Sequence, residues 1–195
     1  MSAAIAVPPR KRFTRNEVEQ MLEAGLFVGQ RLELVDGDLI DKMGQKPPHA
    51  FSVSCFTTWL AKLFDQQGQL RVQLPLEVNW FDRERSLPEP GICVIPSPLA
   101  ELGTRHPRGS EAVLVIEVAD SSVWFDLTVK RDLYARAGVR EYWVLDIPKR
   151  ELVIHRTLES GIYREVQRLG EAETAAPLCR PEAGVMVARL LPAHA

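Results

Sequence analysis

The stretch VIEVADSSVWFDLTVKRDLYARAGVREYWVLD, residues Val115–Asp146, decides the fold of this chain. It opens inside one apolar run, EAVLVIEVAD, and closes with a second, EYWVLD, while the apolar residues between the two runs have helical spacing. This pattern predicts two strands joined by a helix over Leu127–Ala137. We therefore expect an α/β protein, close to the α+β type, in which helices pack on a mixed sheet.

A charged residue interrupts the first of these strands. Successive strand residues point to opposite faces of a sheet, and both faces of EAVLVIEVAD are apolar, so this strand is predicted to be central and covered on both sides. Glu117 stands on one of these apolar faces. Burial there favours the neutral carboxyl unless a cation lies nearby. Glu117 therefore needs a partner.

The following helix offers that partner. Its apolar arc contains Lys130, whereas Arg131, Asp132 and Arg136 fall on the opposite side. Taken alone, Lys130 is equally well explained by a long stem lying on apolar surface with its ammonium in water, and Glu117 by a structural ion pair. The two residues are 13 positions apart, on a strand and on the helix that folds back over it. A buried acid beside a buried base indicates a functional site.

The whole chain is predicted to form one domain. Its 195 residues, 46% of them hydrophobic, can bury about two thirds of the unfolded surface in a single core. We expect a disordered leader over residues 1–12 and one domain over residues 13–195. Local patterns predict a capped helix from Thr14 to about Gly25, a hairpin at Asp36-Gly37, a helix over Pro48–Gln67, strands in QLRVQLPLEVNWF and GICVI, a hairpin turning near Pro148, and a strand over Ile162–Leu169.

Composition excludes several classes of protein. Cys55, Cys93 and Cys179 are widely spaced and include no CxxC, which indicates neither a disulfide framework nor a zinc site and favours a reducing, cytoplasmic location. No stretch approaches the roughly 20 apolar residues of a membrane span, so no membrane partner is expected. The net charge of −2 is unlike that of a strongly basic nucleic-acid-binding protein, so local patches would have to hold any polyanion.

The pair of Glu117 and Lys130 suggests a particular chemistry. Carboxylates at a strand end can bind a hard divalent cation such as magnesium, and a lysine beside them can orient water or stabilise charge on a phosphate. Phosphodiester hydrolysis uses these groups.

The segment Val115–Asp146, with RLELVDGDLI and PEPGICVI upstream, resembles a bacterial family of uncharacterised proteins described as restriction endonucleases, within the PD-(D/E)XK nuclease superfamily. The resemblance covers about residues 13–190. It implies a restriction-endonuclease-like core with additional antiparallel hairpins, and hydrolysis of DNA phosphodiester bonds. It also implies magnesium, or manganese in its place, as the cofactor and DNA as the partner, and it leaves a homodimer open.

The resemblance further implies roles for particular residues. The superfamily motif places its lysine two residues after the glutamate, where this chain has Ala119, so the lysine has moved to the helix as Lys130. This agrees with the position of Lys130 in the apolar arc. Glu117 becomes a metal ligand, and the glutamate that the family has before its first hairpin matches Glu33. An ordinary solvent-facing strand residue remains the alternative for Glu33.

Gly91 departs from the family pattern. Family members have Pro-Asp where this chain has Pro90-Gly91, and that aspartate is taken to be a principal metal ligand. Glu89 is a possible substitute, but it stands about 6.6 Å upstream at roughly 3.3 Å per residue, and glutamate is longer than aspartate by only one bond. Metal binding and activity are therefore in question. Alternatively, Gly91 serves a bend in the backbone, which predicts a positive φ angle.

Three other features have both functional and structural interpretations. His49 is expected either to line the cleft or to be an ordinary loop histidine. Arg105, His106 and Arg108 form a basic loop that contacts phosphates or is simply solvated. Asp126 is expected to cap the helix that bears Lys130, with a catalytic role as the alternative.

The sequence thus leaves three functions open. The first is a magnesium-dependent endonuclease that uses Glu117, Lys130 and Glu33. The second is a catalytically inactive nuclease-fold protein that binds nucleic acid, and the third is a protein that binds a partner without nucleic acid.

Overall fold

The computed structural model describes residues 10–42, 46–64 and 69–194. Residues 1–9 of the predicted leader, and the predicted helix end at Gln67, lie outside the described residues. Arg12, at the end of the predicted leader, forms an ion pair with Asp38 of the first hairpin. Among the described helices, none is long and apolar enough to cross a membrane.

The elements follow the predicted order. They are α1 (Arg15–Glu23), β1 (Leu32–Val35), β2 (Asp38–Asp41), α2 (Pro47–Phe64), β3 (Leu70–Val72), β4 (Ile92–Val94), α3 (Leu99–Leu102), β5 (Leu114–Ala119), α4 (Val123–Phe125), a π-helical turn (Asp126–Lys130), α5 (Arg131–Arg136), β6 (Tyr142–Asp146), β7 (Glu151–Glu159), β8 (Ile162–Leu169), β9 (Thr174–Ala175) and β10 (Val185–Met186), with 3-10 turns at Gly109–Glu111 and Val187–Leu190.

A six-stranded mixed sheet forms the centre of the domain. Its strand order is β3-β4-β5-β6-β7-β8. Strands β5 and β6 are parallel, because the helical segment Val123–Arg136 connects them, and all other neighbours are antiparallel. All six residues of β5 are buried. This confirms the predicted mixed sheet and the predicted central strand.

Helices cover both faces of the sheet. On one face, Phe56 of α2 packs in a cluster with Ile116 and Trp143. On the other face, Tyr134 of α5 packs in a second cluster with Val115. Both clusters consist mainly of buried side chains, and this burial supplies most of the driving force for folding.

The N-terminal helix and the first hairpin form as their local signals predict. Thr14 and Glu17 make a reciprocal capping box at the start of α1. Asp36 and Gly37 both have positive φ angles, 49° and 81°, as a two-residue hairpin turn requires. The hairpin is attached to the segment before β4 through a backbone hydrogen bond of 2.8 Å from the Leu87 N–H to the Leu34 carbonyl.

Two predicted boundaries are wrong. The strand expected over QLRVQLPLEVNWF is limited to Leu70–Val72, because Gln73 has a φ angle of 52° and Pro75 has no N–H to donate to a ladder. The helix expected from Leu127 begins instead at Val123. Its first turn therefore starts only four residues after the end of β5.

Candidate functional site

The ammonium of Lys130 lies at the centre of a buried charged cluster. Its Nζ atom is 2.7 Å from Oε1 of Glu33, 2.9 Å from Oε1 of Glu117 and 3.8 Å from Oδ1 of Asp126. Lys130 is 3% exposed, Glu33 4% and Glu117 6%. The three residues come from the helix, the first hairpin and the central strand. The structure thus brings together all three side chains that the sequence proposes as catalytic.

Glu117 is held by three donors. Its Oε1 atom accepts hydrogen bonds of 2.9 Å from both the Lys130 ammonium and the Tyr134 hydroxyl. Its Oε2 atom accepts a hydrogen bond of 3.0 Å from the Gly91 N–H. The strand places Glu117 on the face that α5 covers, so the donors of that helix and of the neighbouring strand β4 satisfy the buried carboxylate.

The π-helical turn sets the orientation of the helical groups. The Arg131 N–H donates to the Asp126 carbonyl, five residues earlier, and the Tyr142 hydroxyl donates to the same carbonyl at 2.9 Å. Asp126 and Lys130 both point into the interior, with 3% exposure each. Single π-helical turns inside helices are frequent at functional sites. Asp126 lies inside the helix, so its expected role as the N-terminal cap is wrong, and its carboxylate accepts a hydrogen bond from Ser122 instead.

The charges of the cluster shift its pKa values. Burial would raise the pKa of Glu33, but Lys130 and Lys42 outweigh that effect and hold this pKa below its ordinary value. Burial would lower the pKa of Lys130, but Glu117, Glu33 and Asp126 raise it above its ordinary value. Burial also raises the pKa of Asp126 to about 7, because Lys130 offsets the desolvation only in part. At neutral pH the cluster therefore contains a charged lysine, a charged Glu33 and a partly protonated Asp126.

Gly91 faces Glu117 across neighbouring strands. The register pairs Ile92 with Ile116, so the preceding residue Gly91 stands opposite Glu117. A Cβ atom at position 91 would lie 3.5 Å from Oε2 of Glu117 and 3.0 Å from the Ile116 carbonyl oxygen. Gly91 is not among the glycines with a positive φ angle. The alternative of a backbone bend that only glycine can adopt is therefore wrong.

Glu89 lies outside the cavity that Gly91 and Glu117 line. Its backbone N–H donates to Oε2 of Glu33 at 3.0 Å, but its side chain lines the neighbouring cavity, beside α1 and the first hairpin. Its carboxylate is 3.6 Å from the Lys42 ammonium and 4.0 Å from the Arg31 guanidinium. The Glu89 carboxylate thus pairs with two cations, one of which, Lys42, lines the cavity of Gly91 and Glu117. A role of Glu89 as a metal ligand stays a prediction.

The charged cluster opens into a small cavity of about 160 Å³. His49 and Lys46 line this cavity with the turn after β5, which includes Asp120 and Ser121. Burial lowers the pKa of His49, although the Glu117 charge opposes the shift. The predicted position of His49 in the cleft agrees with the structure. By contrast, the basic loop residues Arg105, His106 and Arg108 line a separate, larger groove.

Two residues of the site, Tyr134 and Lys42, are not predicted from the sequence patterns. Tyr134 is in the predicted apolar arc, where its side chain is explained by packing alone, but its hydroxyl is a donor to Glu117. Lys42 follows the first hairpin, and its ammonium is 4.0 Å from Oε2 of Glu33. The position of Lys42 could not be predicted from its neighbours in sequence, because its distance from Glu33 depends on the pairing of β1 with β2.

The donor atoms of the site do not fit a tightly bound magnesium ion. Such an ion needs near-octahedral oxygen ligands, usually one or two carboxylates with water and substrate phosphates. Both oxygens of Glu117 already accept hydrogen bonds, and position 91 offers an N–H donor instead of a carboxylate. In the described ranges, no three His, Cys, Asp or Glu side chains are grouped so that they could hold a metal ion.

The fold and the site together define a restriction-endonuclease-like protein. The model of the Uma2 family, described as "Putative restriction endonuclease", matches residues 16–186, and the chain belongs to this family. A solved structure described as a putative nuclease belonging to DUF820, from Anabaena variabilis ATCC 29413, matches with a TM-score of 0.70 and 13% sequence identity. That match covers 91% of this chain and 97% of the other, and it shows the shared fold. A comparison with curated proteins finds no match.

Proposed function

We propose that this chain is a DNA-binding protein with a restriction-endonuclease fold and an incomplete hydrolytic site, so that it binds DNA but does not cleave it efficiently with magnesium. The observation that carries the proposal is the position of Gly91. Its N–H lies 3.0 Å from Oε2 of Glu117, where the family resemblance places a second carboxylate.

A single carboxylate is a weak basis for metal binding. Magnesium gives up its water ligands reluctantly, and sites in nucleases depend on a few protein carboxylates and the substrate phosphate. Oε2 of Glu117 keeps one free lone pair beside the Gly91 N–H, whereas Oε1 accepts two hydrogen bonds. In addition, the Lys130 ammonium already balances one negative charge of the cluster. A second cation therefore gains little attraction at this site.

DNA as the partner is supported by the family description and by the cations around the cavity. Lys42 and Lys46 line it together with Lys130. The Lys130 ammonium has three N–H donors, and Glu33 and Glu117 accept two of them. The third remains for a water molecule or a phosphate oxygen. Carboxylates including Asp41 and Asp120 line the same cavity, and Lys46 pairs with Asp120 at 3.8 Å. The family description therefore carries most of the support for DNA, and a phosphate would contact individual lysines rather than a uniformly positive surface.

The proposal is tested by measuring binding and cleavage separately. Binding of a labelled 20-base-pair duplex is followed by fluorescence anisotropy in EDTA at 50 and 200 mM salt, where phosphate contacts make affinity fall steeply with salt. Nicking of supercoiled plasmid is followed with magnesium and with manganese. We expect salt-dependent binding without efficient nicking. Lack of DNA binding at low salt contradicts the proposal and favours a partner other than nucleic acid.

A second candidate is an active endonuclease, and one observation favours it. The contacts of Lys130 with Glu33 and Glu117 are retained with distances of 2.7 and 2.9 Å, although an inactive protein has no catalytic need for a buried lysine. In that case water or the DNA itself must replace the missing carboxylate. Efficient nicking by the wild type that is lost in Glu117→Gln supports this candidate against the first.

A further inference from the structure

An exposed pair of aromatic side chains stands on a turn away from the Lys130 cluster. Trp80 is 67% exposed and Phe81 77% exposed, and their ring centroids are 4.4 Å apart. Each ring presents a large apolar face to solvent. Two adjacent exposed rings form an apolar patch, and exposed apolar patches are candidate interaction sites.

The turn that carries the two rings is fixed to the domain. Oδ1 of Asn79 accepts hydrogen bonds from the Phe81 and Asp82 N–H groups, both at 2.9 Å. The Asn79 side-chain amide donates to the Arg136 carbonyl at 3.0 Å, and the Arg136 guanidinium pairs with Asp82 at 3.0 Å. The turn is thus anchored at the C-terminal end of α5. The backbone that carries the two rings therefore needs little ordering on binding.

Trp80 lines a groove of about 1310 Å³ whose cations fall into two groups. Arg15, Arg105 and Arg136 are neutralised by carboxylates at 2.9, 2.7 and 3.0 Å. Arg83 and Arg108 also line the groove, and neither guanidinium has an ion-pair partner within the part of the chain that the structure describes.

The groove is not uniformly basic, since Glu19 and Glu84 line it as well. This balance argues against a surface that follows the dense phosphates of a duplex, which needs an excess of positive charge. An aromatic platform with a few unpaired arginines fits a single strand better, because unstacked bases stack on aromatic rings and only occasional phosphates need a cation.

The groove and the Lys130 cluster lie at two ends of the same structural unit. The first hairpin contacts the helical segment Val123–Arg136 at two places. Glu33 lies beside Lys130, and Asp36 lies 3.8 Å from Arg136. Asp36 is three positions after Glu33 along the chain, which corresponds to about 10 Å in an extended strand. A strand of a few nucleotides could therefore contact both places.

We propose that the turn bearing Trp80 and Phe81 binds single-stranded nucleic acid by base stacking, with Arg83 and Arg108 contacting its phosphates. This rests on the proposed function only in taking nucleic acid as the partner. It assigns the contact surface to residues outside the Lys130 cavity.

The test uses the full chain and a labelled 20-nucleotide oligo(dT), with anisotropy measured in EDTA at several salt concentrations. Trp80→Ala/Phe81→Ala should weaken binding at least tenfold and leave the salt dependence unchanged. Arg83→Ala/Arg108→Ala should reduce the slope of log affinity against log salt by about 1.4, which is 0.7 for each lost phosphate contact. The matched control is Ile162→Ala/Val166→Ala on β8, two side chains that are each 53% exposed, and it should bind like the wild type.

Two results would overturn the inference. The first is no oligo(dT) binding by the wild type at low salt, and the second is wild-type affinity in Trp80→Ala/Phe81→Ala. If sedimentation then shows a dimer for the wild type and a monomer for that variant, the rings belong to an interface between copies of the chain. Duplex binding and the metal response of Gly91→Asp do not depend on this turn, so failure here is distinguishable from failure of the proposed function.

Discussion

The ammonium of Lys130 lies 2.9 Å from Oε1 of Glu117, although the two residues are 13 positions apart and belong to different elements. Glu33, from a third element, completes the contact at 2.7 Å. Because all three side chains are almost completely buried, each charge depends on the others for compensation. The cluster thus ties the helix, the central strand and the first hairpin together.

Removal of the buried cation should strongly destabilise the fold. In Lys130→Met, the carboxylate of Glu117 stays buried without its cation and Glu33 keeps only Lys42 at 4.0 Å, so we expect a loss of about 3–5 kcal/mol in the free energy of unfolding. Adding Glu33→Gln and Glu117→Gln should restore part of it. Urea unfolding measures these values, with Arg164→Met, half of an exposed ion pair, as a control that should change stability by less than about 0.5 kcal/mol. A loss below about 1 kcal/mol in Lys130→Met would show that the ammonium does not compensate the carboxylates.

The sequence predicts this cluster because its signals are strong and mostly local. Glu117 lies in an otherwise apolar strand and Lys130 in an apolar helical arc, so each violates the pattern of its own element. The structure brings the two within hydrogen-bonding distance. Sequence patterns did not reveal the π-helical turn, because its extra residue per turn depends on tertiary contacts such as the hydrogen bond from Tyr142 to the Asp126 carbonyl.

Strand β3 shows a different limit of sequence patterns. Alternation of apolar and polar residues over QLRVQLPLEVNWF predicts one long strand, yet the ladder ends at Val72. The alternation of apolar and polar residues indicates which side chains face the core. A ladder of backbone hydrogen bonds also needs a neighbouring strand with free N–H and carbonyl groups. Similarly, the partners of Glu33 could not be predicted from its own surroundings, because the hairpin is placed against the helix by long-range packing.

His155 should make stability depend on pH. The ring is 2% exposed between Tyr142 and Tyr163. Burial, with smaller effects from Arg131 and Arg168, lowers its pKa from 6.5 to about 4. Below pH 6.5 the unfolded chain therefore binds a proton that the folded protein excludes. The stabilisation is complete above the unfolded pKa and is lost as the pH falls toward the folded pKa, by up to about 3 kcal/mol.

The variant His155→Leu isolates this contribution from that of the carboxylates. Between pH 7.5 and pH 5, the wild type should lose about 2 kcal/mol more than the variant in urea unfolding. Equal losses in the two proteins would show that the pKa of His155 is not lowered by folding.

The buried carboxylate of Glu141 should hold the C-terminal segment on the sheet. Glu141 is fully buried and accepts hydrogen bonds from Trp143 Nε1 at 2.8 Å, from Arg156 Nε at 2.7 Å and from the Leu178 N–H at 2.7 Å. Glu141→Gln removes the charge that compensates Arg156, so we expect a loss of about 3 kcal/mol and faster tryptic cleavage after Arg180. Glu159→Gln, at a residue whose side chain is 62% exposed, is the control. Unchanged proteolysis with unchanged stability would contradict this role.

Substitutions at Gly91 separate steric from electrostatic effects. A Cβ atom there would be 3.0 Å from the Ile116 carbonyl oxygen, so Gly91→Ala should cost about 1–2 kcal/mol as overpacking. Gly91→Asp should be less stable than Gly91→Asn in EDTA, because its carboxylate would stand close to that of Glu117. Thermal unfolding in EDTA measures the order. Equal stability of the aspartate and asparagine variants would show that position 91 does not face the Glu117 charge.

The central claim, that Gly91 marks a missing metal ligand, is tested most directly by the change in melting temperature that 10 mM magnesium causes in the wild type and in Gly91→Asp. A ligand that binds only the folded state at 100 times its Kd adds about 2.7 kcal/mol, which for a chain of this size is a shift of roughly 5–10 °C. We predict a shift of this order for Gly91→Asp, its absence in Gly91→Asp/Glu117→Gln, and little change in the wild type. A wild-type shift as large as that of Gly91→Asp, abolished by Glu117→Gln, would contradict the account, because the native site would then already bind the metal.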